Sequence, residues 1–574
     1  MFNEENWSKI LCSVLVLMVL TLCSLNTGSA QLAKSNETSE TKVGKLADSN
    51  NQKSEPQEKV LLSLPNSTQL NLEAKGLVLQ ETKSSNETYI RSTDQTTIYE
   101  LFEGKDKMGS IKVTVREIDN GDFFIFTQLQ NESSKGYSAS ISYPIKGNVR
   151  YDLTDFERQE IHHEHDHVFG VDPTTYPIGL LKIREHENLV TNMMISRNYV
   201  SKELVKEYGN GDKSLVRELT SENKTLELNN DNKGVTVTLP LHSAGKDLSE
   251  NWMLVSQEPL FKKEEVLDEW INRSTKQYKA TNKWYTAEGP YTKLPWSIEP
   301  GTKLGYGRNL VMVQDKKALN YYETTQERYF YDLILNSVAN LFIFQGDKKG
   351  LWETEYTSTW LKKDYGIKAP YVDTRHNENI ALFLKETGDM LDIKELKDAN
   401  IIYADFLVNQ VKNGNIIGVP NGGYLVTDYY SPQQIKKTHV SLNHALGEMN
   451  FLLETYQQTQ NESYLEVARN MRSGVENIGE KWLRENGDVW YQVNGDFTFE
   501  GTDYPLLTLE DLLKSQQSWE DVGEKRSEMF DRLIRSKAQY LVESKQEILR
   551  PAANALINQG FGDIIEGYNN IPKF

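Results

Sequence analysis

Hydrophobic positions repeat with two different periods along this chain, and the change falls near residue 260. Between about 60 and 250, apolar residues alternate with polar ones, as at Ile111, Val113 and Val115 and again at Val235, Val237 and Leu239. The apolar run FFIF lies between them at 123–126. A period of two puts alternate side chains on one face of an extended strand, so these segments predict β-strands. Asp119-Asn120-Gly121-Asp122 separates the first two runs and has the composition of a hairpin turn. No helical periods alternate with the strands, so an antiparallel, sandwich-like arrangement is expected rather than a parallel α/β sheet.

From about Glu264 the period becomes helical. Helices are predicted at 264–281, 315–344, 353–364, 373–389, 393–413, 436–458, 462–485, 506–519, 523–544 and 549–559, with a short hairpin at 489–505. In one of them His439, Leu442, Leu446, Met449, Leu453 and Tyr456 recur at steps of three and four and share a face. A second stripe holds Asn443, His444, Gly447, Glu448 and Asn450, too polar for core. The next helix buries Tyr464, Val467, Met471, Val475, Ile478 and Trp482 in the same way. Two occupied faces are what a double-layered ring needs, where inner helices back onto outer ones and turn polar groups to a central cavity. The expected class is therefore α+β and multidomain: a β-sandwich-like domain over 60–255, then an (α/α) toroid over 256–574.

The first sixty residues belong to neither pattern. Residues 10–25, ILCSVLVLMVLTLCSL, are continuously apolar and are followed by Gly28-Ser29-Ala30, so 1–30 reads as a signal peptide. An uncleaved anchor is the alternative. Residues 31–59 are polar and poor in aromatics, the composition of a disordered tether. Both cysteines, Cys12 and Cys23, fall in the apolar segment, which leaves the remainder without a thiol nucleophile or a disulfide. A secreted or cell-envelope protein of a bacterium is the expectation, with membrane contact only through the N-terminal segment. The net charge of −18 repels nucleic acid, so no nucleic-acid partner is expected and an anionic substrate would need a local basic patch.

Several clusters offer chemistry. IHHEHDHVFG at 161–170 holds four of the nine histidines. On a strand His163, His165 and His167 share one side, a divalent-metal candidate that would need ligands from elsewhere too, since strand neighbours on one face are about 7 Å apart. A groove loop and a solvated turn are the other readings, and no cofactor is otherwise required. Tyr306 and Arg308 stand in a Gly/Pro-rich aromatic stretch, 285–309, read either as a ligand site or as a packed linker. Asp373 or Thr374 caps a helix that begins with Arg375 and His376; His376 is acid, base or orienter in one reading and part of a cap network in the other. Tyr424, Asp428, Tyr429 and Tyr430 lie in a Gly-hinged loop. His444 with Glu448 is either a site pair or an ordinary i, i+4 pair.

The run HVSLNHALGEMNFLLETYQQTQNESYLEVARNM at 439–471 resembles the C-terminal helical domain of D-glucuronyl C5-epimerases. That resemblance spans about 310–545. It implies β-rich N-terminal parts before an (α/α) toroid and action on uronic acids in a polysaccharide. For that reaction the residues read above offer Tyr424, Tyr429 or Tyr430 and His444 or His376 as acid/base candidates. Arg375 would hold the substrate carboxylate, with Asn443, Glu448, Tyr306 and Arg308 as further substrate contacts. A lyase would share the first proton abstraction. A hydrolase would need facing carboxylates, for which Glu353, Glu355, Asp373 and Glu448 are candidates. A surface protein that binds carbohydrate or metal without catalysis is the remaining alternative.

Overall fold

The computed structural model describes residues 57–157, 165, 176–278, 281–295 and 297–572. Helices and sheets are mixed, and the largest sheet is antiparallel. In spatial order its main path runs Trp284–Thr286, Gly289–Lys293, Gly305–Gly307, Lys213–Asn223, Asn198–Glu207, Leu248–Ser256, Phe123–Asn131, Asp106–Ile118, Ser92–Glu103 and Val78–Tyr89. A second sheet of five strands faces it, ordered Lys59–Ser63, Gln69–Ala74, Tyr137–Lys146, Gly234–Ser243 and Glu227–Asp231.

Alternation decides what each face meets. Ile111, Val113, Val115, Phe123 and Ile125 enter the core shared with Leu70, Leu72, Ile141 and Val237 of the five-stranded sheet. The other face is covered as well, by helices, and takes Phe124, Phe126, Trp252 and Leu254. Burial on both faces explains why FFIF is continuously apolar where a one-sided strand would alternate. The expected turn is present: Asp106–Ile118 pairs with Phe123–Asn131, Gly121 has φ +88°, and Asp122 N donates to Asn120 Oδ1 at 2.9 Å.

Twelve α-helices follow among the described residues: α1 Glu264–Lys276, α2 Leu310–Val313, α3 Lys316–Thr325, α4 Arg328–Gln345, α5 Thr359–Tyr365, α6 Thr374–Met390, α7 Ala399–Lys412, α8 Leu442–Thr459, α9 Glu462–Ile478, α10 Leu507–Asp521, α11 Glu528–Glu543 and α12 Arg550–Asn558. Helix α4 lies on the large sheet. Arg116, fully buried, crosses that contact and donates to both oxygens of Asp94 at 2.7 Å and to Asn336 and Asn340 Oδ1 at 2.7 Å. Helices α6, α8 and α10 pack side by side, while α7, α9 and α11 pack behind them. Leu446, Met449, Val467 and Met471 fill the seam between layers, each side chain contributing about 2 kcal/mol through apolar burial.

Several predicted boundaries change, three of them where the tertiary structure shows the cause. The helix expected at 315–344 breaks at Gln326, which is left-handed (φ +56°) and ends α3, and at Glu327, whose carboxylate accepts from the Lys262 and Lys263 amides. The segment 353–358 pairs as short strands, Glu353 with Val372 and Thr357 with Glu299, so only 359–365 is helical. The helix expected from 436 begins at Leu442, because Val440 and Ser441 pair with Val493 and Gln492. His439 is consequently not on the apolar face of that helix.

Candidate functional site

Helix α5, the loop before α8 and the hairpin Trp490–Thr502 converge on one open cleft of about 690 Å³. Trp360, Tyr365, Tyr429, His439 and Tyr491 line it together with Asp364, Lys436, Lys437 and Glu500. His439 sits among the rings, with centroids 5.6 Å from Trp360, 5.8 Å from Tyr365 and 5.9 Å from Tyr429.

Asp428 organises the floor. It is fully buried, accepts from Ser441 N at 2.9 Å and from the Ser441 hydroxyl, and stands 3.3 Å from His439 Nε2 and 3.7 Å from His444 Nδ1. Burial alone would raise its pKa, but the two imidazoles and the Ser441 hydroxyl hold it below the ordinary carboxylate value. The Asp428 carboxylate 3.3 Å away favours a proton on His439 Nε2 by charge, without a hydrogen bond between them, and that tautomer leaves Nδ1 to accept from the Tyr365 hydroxyl at 3.0 Å. The result is an Asp428–His439–Tyr365 chain that ends in the cleft. Burial raises the phenols of Tyr365, Tyr429 and Tyr491, so all three rest as proton donors. His444 contacts Thr374 Oγ1 at 3.0 Å through Nδ1, and burial lowers its pKa, which favours a neutral ring.

A second polar layer lies beneath. Asp373 caps α6, its Oδ1 accepting from His376 N at 3.0 Å, which explains the helix start at Thr374. Arg375 then reaches between helices to both oxygens of Asp511 at 2.9 and 3.1 Å and to Glu378 Oε2 at 3.1 Å. Gly447 permits this crossing, since a Cβ there would overlap Arg375 Nη1. Burial raises the carboxyls of Glu448 and Asp511, and raises Glu378 to about 7 despite Arg375.

A carboxyl raised on folding binds its proton more tightly in the native state. The stability from Glu378 is therefore full below its unfolded value, near 4.5, and is lost as pH rises through about 7. Glu378→Gln is expected to flatten the decline between pH 5 and 7 and to gain on the order of 2 kcal/mol at pH 8. Urea midpoints across that range are the measurement, and an unchanged slope would count against the assignment.

Of the residues singled out from the sequence, Tyr429 lines the cleft and His444 lies against its floor, 6.2 Å from the Tyr429 ring. His376 is buried in the cap network, Nδ1 3.5 Å from Asp373 Oδ2. Asn443 and Glu448 are buried on α8 in the polar layer, and the guanidinium of Arg375 is occupied by protein carboxylates. Tyr424 is elsewhere: its strand pairs with Ile416–Gly418 and packs on α9, where burial and then Glu466 push the phenol up to about 12. Tyr430 turns toward Phe406, ring centroids 6.1 Å apart.

Tyr306 and Arg308 are not cleft residues either. Tyr306 packs with Tyr199, Trp284 and Tyr291 on the large sheet, and Arg308 holds Glu355, with Nε at 2.9 Å from Oε2. His163 and His167 lie outside the described residues; His165 Nδ1 is 3.2 Å from the Tyr306 hydroxyl. Among the described residues no group of three or more His, Cys, Asp or Glu is placed to hold a metal ion. Trp360, Tyr365, His439 and Tyr491 line the cleft over Asp428, and of these only Asp428 stood out in the sequence as a candidate, within the tyrosine loop. The tyrosine of the predicted 489–505 hairpin and the aspartate beside Tyr429 were the available signals.

No protein-family model matches the chain, and no curated protein matches it. Among solved structures, cellobiose 2-epimerase from Bacillus thermoamylovorans B4167 is 13% identical with a TM-score of 0.35, over 49% of this chain and 70% of that one. A D-mannose isomerase is 15% identical with a TM-score of 0.33, over 47% and 68%. A family 76 glycoside hydrolase from a bovine Bacteroides thetaiotaomicron strain is 13% identical with a TM-score of 0.32, over 64% and 76%. At such overlap the chemistry has to be read from the side chains themselves.

Proposed function

We propose that this chain is a carbohydrate-active enzyme that moves a proton at a sugar carbon, and that its reaction is C5 epimerisation of a uronate unit in a polysaccharide. The observation that carries this reading is the Asp428–His439–Tyr365 chain at the floor of a cleft walled by Trp360, Tyr429 and Tyr491. Aromatic walls stack on the apolar faces of a pyranose ring, which sets its orientation. The inner and outer helix layers are proposed to close as an (α/α) toroid around this cleft, in an exported protein.

In the proposed reaction the Tyr365 proton passes to His439 Nδ1, and Asp428 stabilises the imidazolium. The phenolate takes the proton from C5, and the electron pair left behind spreads onto the substrate carboxylate. A phenol on the opposite face, Tyr429 or Tyr491, returns a proton to C5 and inverts it. Solvent then restores the resting protons. Burial keeps these phenols protonated, so a donor is present at rest although a weaker acid than a free phenol, and the base step depends on the imidazole accepting a proton first.

Elimination would start from the same abstraction and then expel the C4 substituent. A hydrolytic reading rests on Asp364 and Glu500, the partly exposed carboxylates of the same cleft. Incubation with uronate polymers in deuterated water separates the three. Deuterium at C5 without chain cleavage is the expected result. A rise in the ultraviolet absorbance of unsaturated uronate would indicate a lyase, and new reducing ends alone a hydrolase.

A further inference from the structure

The mouth of the cleft is unlike the rest of this acidic chain. Lys436, which lines it, is held over the Tyr365 ring, 5.0 Å from the centroid, and outside the cleft Lys368 lies over Tyr208 at 5.2 Å. Lys437 donates to the Ile416 carbonyl at 3.0 Å, and Lys363 is exposed on α5 beside Lys362. Lys362 is neutralised by Glu299 at 2.8 and 2.9 Å. No ion pair to a carboxylate occupies Lys363, Lys368, Lys436 or Lys437 among the described residues.

The large sheet builds this edge. The hairpin tip between Asn198–Glu207 and Lys213–Asn223 reaches across to the helical part. Tyr208 at that tip donates to Glu299 at 2.9 Å and lies under both Lys362 and Lys368. Asp212 accepts from Gln433 at 2.7 Å, which fixes the loop that carries Lys436 and Lys437. Asp496 and Glu500 of the 490–502 hairpin and Asp364 of α5 line the same cleft. Lysines and carboxylates therefore meet there, and the Asp496 carboxyl, lowered first by Thr498, is lowered also by Lys436. An ammonium resting on a ring keeps its N–H groups free for an anion while losing part of its motional freedom.

We propose that Lys363, Lys368, Lys436 and Lys437 form an anion-binding edge along which the carboxylates or sulfates of an acidic polysaccharide lie as it leaves the cleft. This rests on the polysaccharide reading above and adds the substrate's charge and its path. Full-length protein is to be tested for binding to a uronate homopolymer and to the same polymer with its carboxyls reduced to alcohols. The quadruple Lys→Gln variant is expected to bind the acidic polymer about tenfold more weakly, as four exposed ion pairs would give, with a shallower salt dependence.

Lys363→Gln with Lys368→Gln should weaken the polymer and leave a uronate disaccharide unaffected, because neither lysine lines the cleft. Gln at Lys59, Lys75 and Lys233, exposed on the five-stranded side, is the control and should change nothing. Retained binding of a reduced but sulfated polymer would support the edge with sulfate as its ligand. Equal binding of reduced, unsulfated polymer, or an unchanged quadruple variant, overturns the proposal. Lysine-dependent binding without deuterium at C5 would refute the reaction alone; normal deuterium uptake with lysine-independent binding would refute the edge alone.

Discussion

Asp428→Asn is expected to lower deuterium incorporation at C5 by about 10³-fold, within the range that one positioned acid/base group supplies. The side chain keeps its size, but its amide donates where the carboxylate accepts. Facing an N–H donor, His439 Nε2 gives up its proton to Nδ1, which then donates to the Tyr365 oxygen 3.0 Å away and can no longer receive its proton. Asp428 acts here as a positioning residue. A merely structural role would lower activity only in step with the folded fraction, so turnover is to be compared with the urea midpoint and with the pH profile. Loss of the basic limb of that profile with the protein still folded supports the relay; activity within threefold of wild type removes it. The fold itself should also respond at acid pH. The depressed Asp428 carboxyl contributes stability above its unfolded pKa, and this is lost as pH falls through the folded value.

The largest stability loss is expected at a distance from the chemistry. Lys537 on α11 is wholly buried, donates to Asp488 Oδ1 at 2.6 Å and forms an ion pair with Asp503 Oδ2 at 2.8 Å. Those aspartates bracket the 490–502 hairpin, which carries Tyr491 into the cleft. Lys537→Met would take the ion-pair partner from buried Asp503 and leave Asp488 only Arg484, 3.6 Å away, and is expected to cost about 3–5 kcal/mol. Urea unfolding followed by circular dichroism measures it. Adding Asp488→Asn and Asp503→Asn should recover part of the loss, because the stranded charges are then absent. A midpoint unchanged by Lys537→Met would mean that the hairpin is held by its apolar contacts, chiefly Val489, Val493 and the Trp482–Phe499 ring pair at 5.4 Å.

Helix existence was legible in the sequence because amphipathic periods need only local repetition, as in α9 and α11. Boundaries were not, since Val440 and Thr357 are held extended by strand partners far along the chain. Reading His439 as core edge followed from its spacing with Leu442 and Leu446. That spacing has no meaning once the residue precedes the helix, and burial among rings around an open cleft looks in sequence like burial in a core. Arg375 shows the converse difficulty. A helix-start arginine beside a polar stripe suggests a ligand clamp, yet Asp511, 136 residues away, occupies it.

By itself the sequence determined the alternating strands at Ile111–Val115 and Val235–Leu239, the hairpin turn at Asp119–Asp122, the two-faced character of α8 and the acidic balance of the chain. These depend on neighbours within a few turns or on composition alone. Tertiary structure alone decided which polar groups meet. Asp428, His439 and Tyr365 are brought together from the loop before α8 and the end of α5, and Lys368 and Lys436 are gathered at one edge by a sheet hairpin more than 150 residues upstream of either. Contacts of that kind are set by how layers pack, and no local period records them.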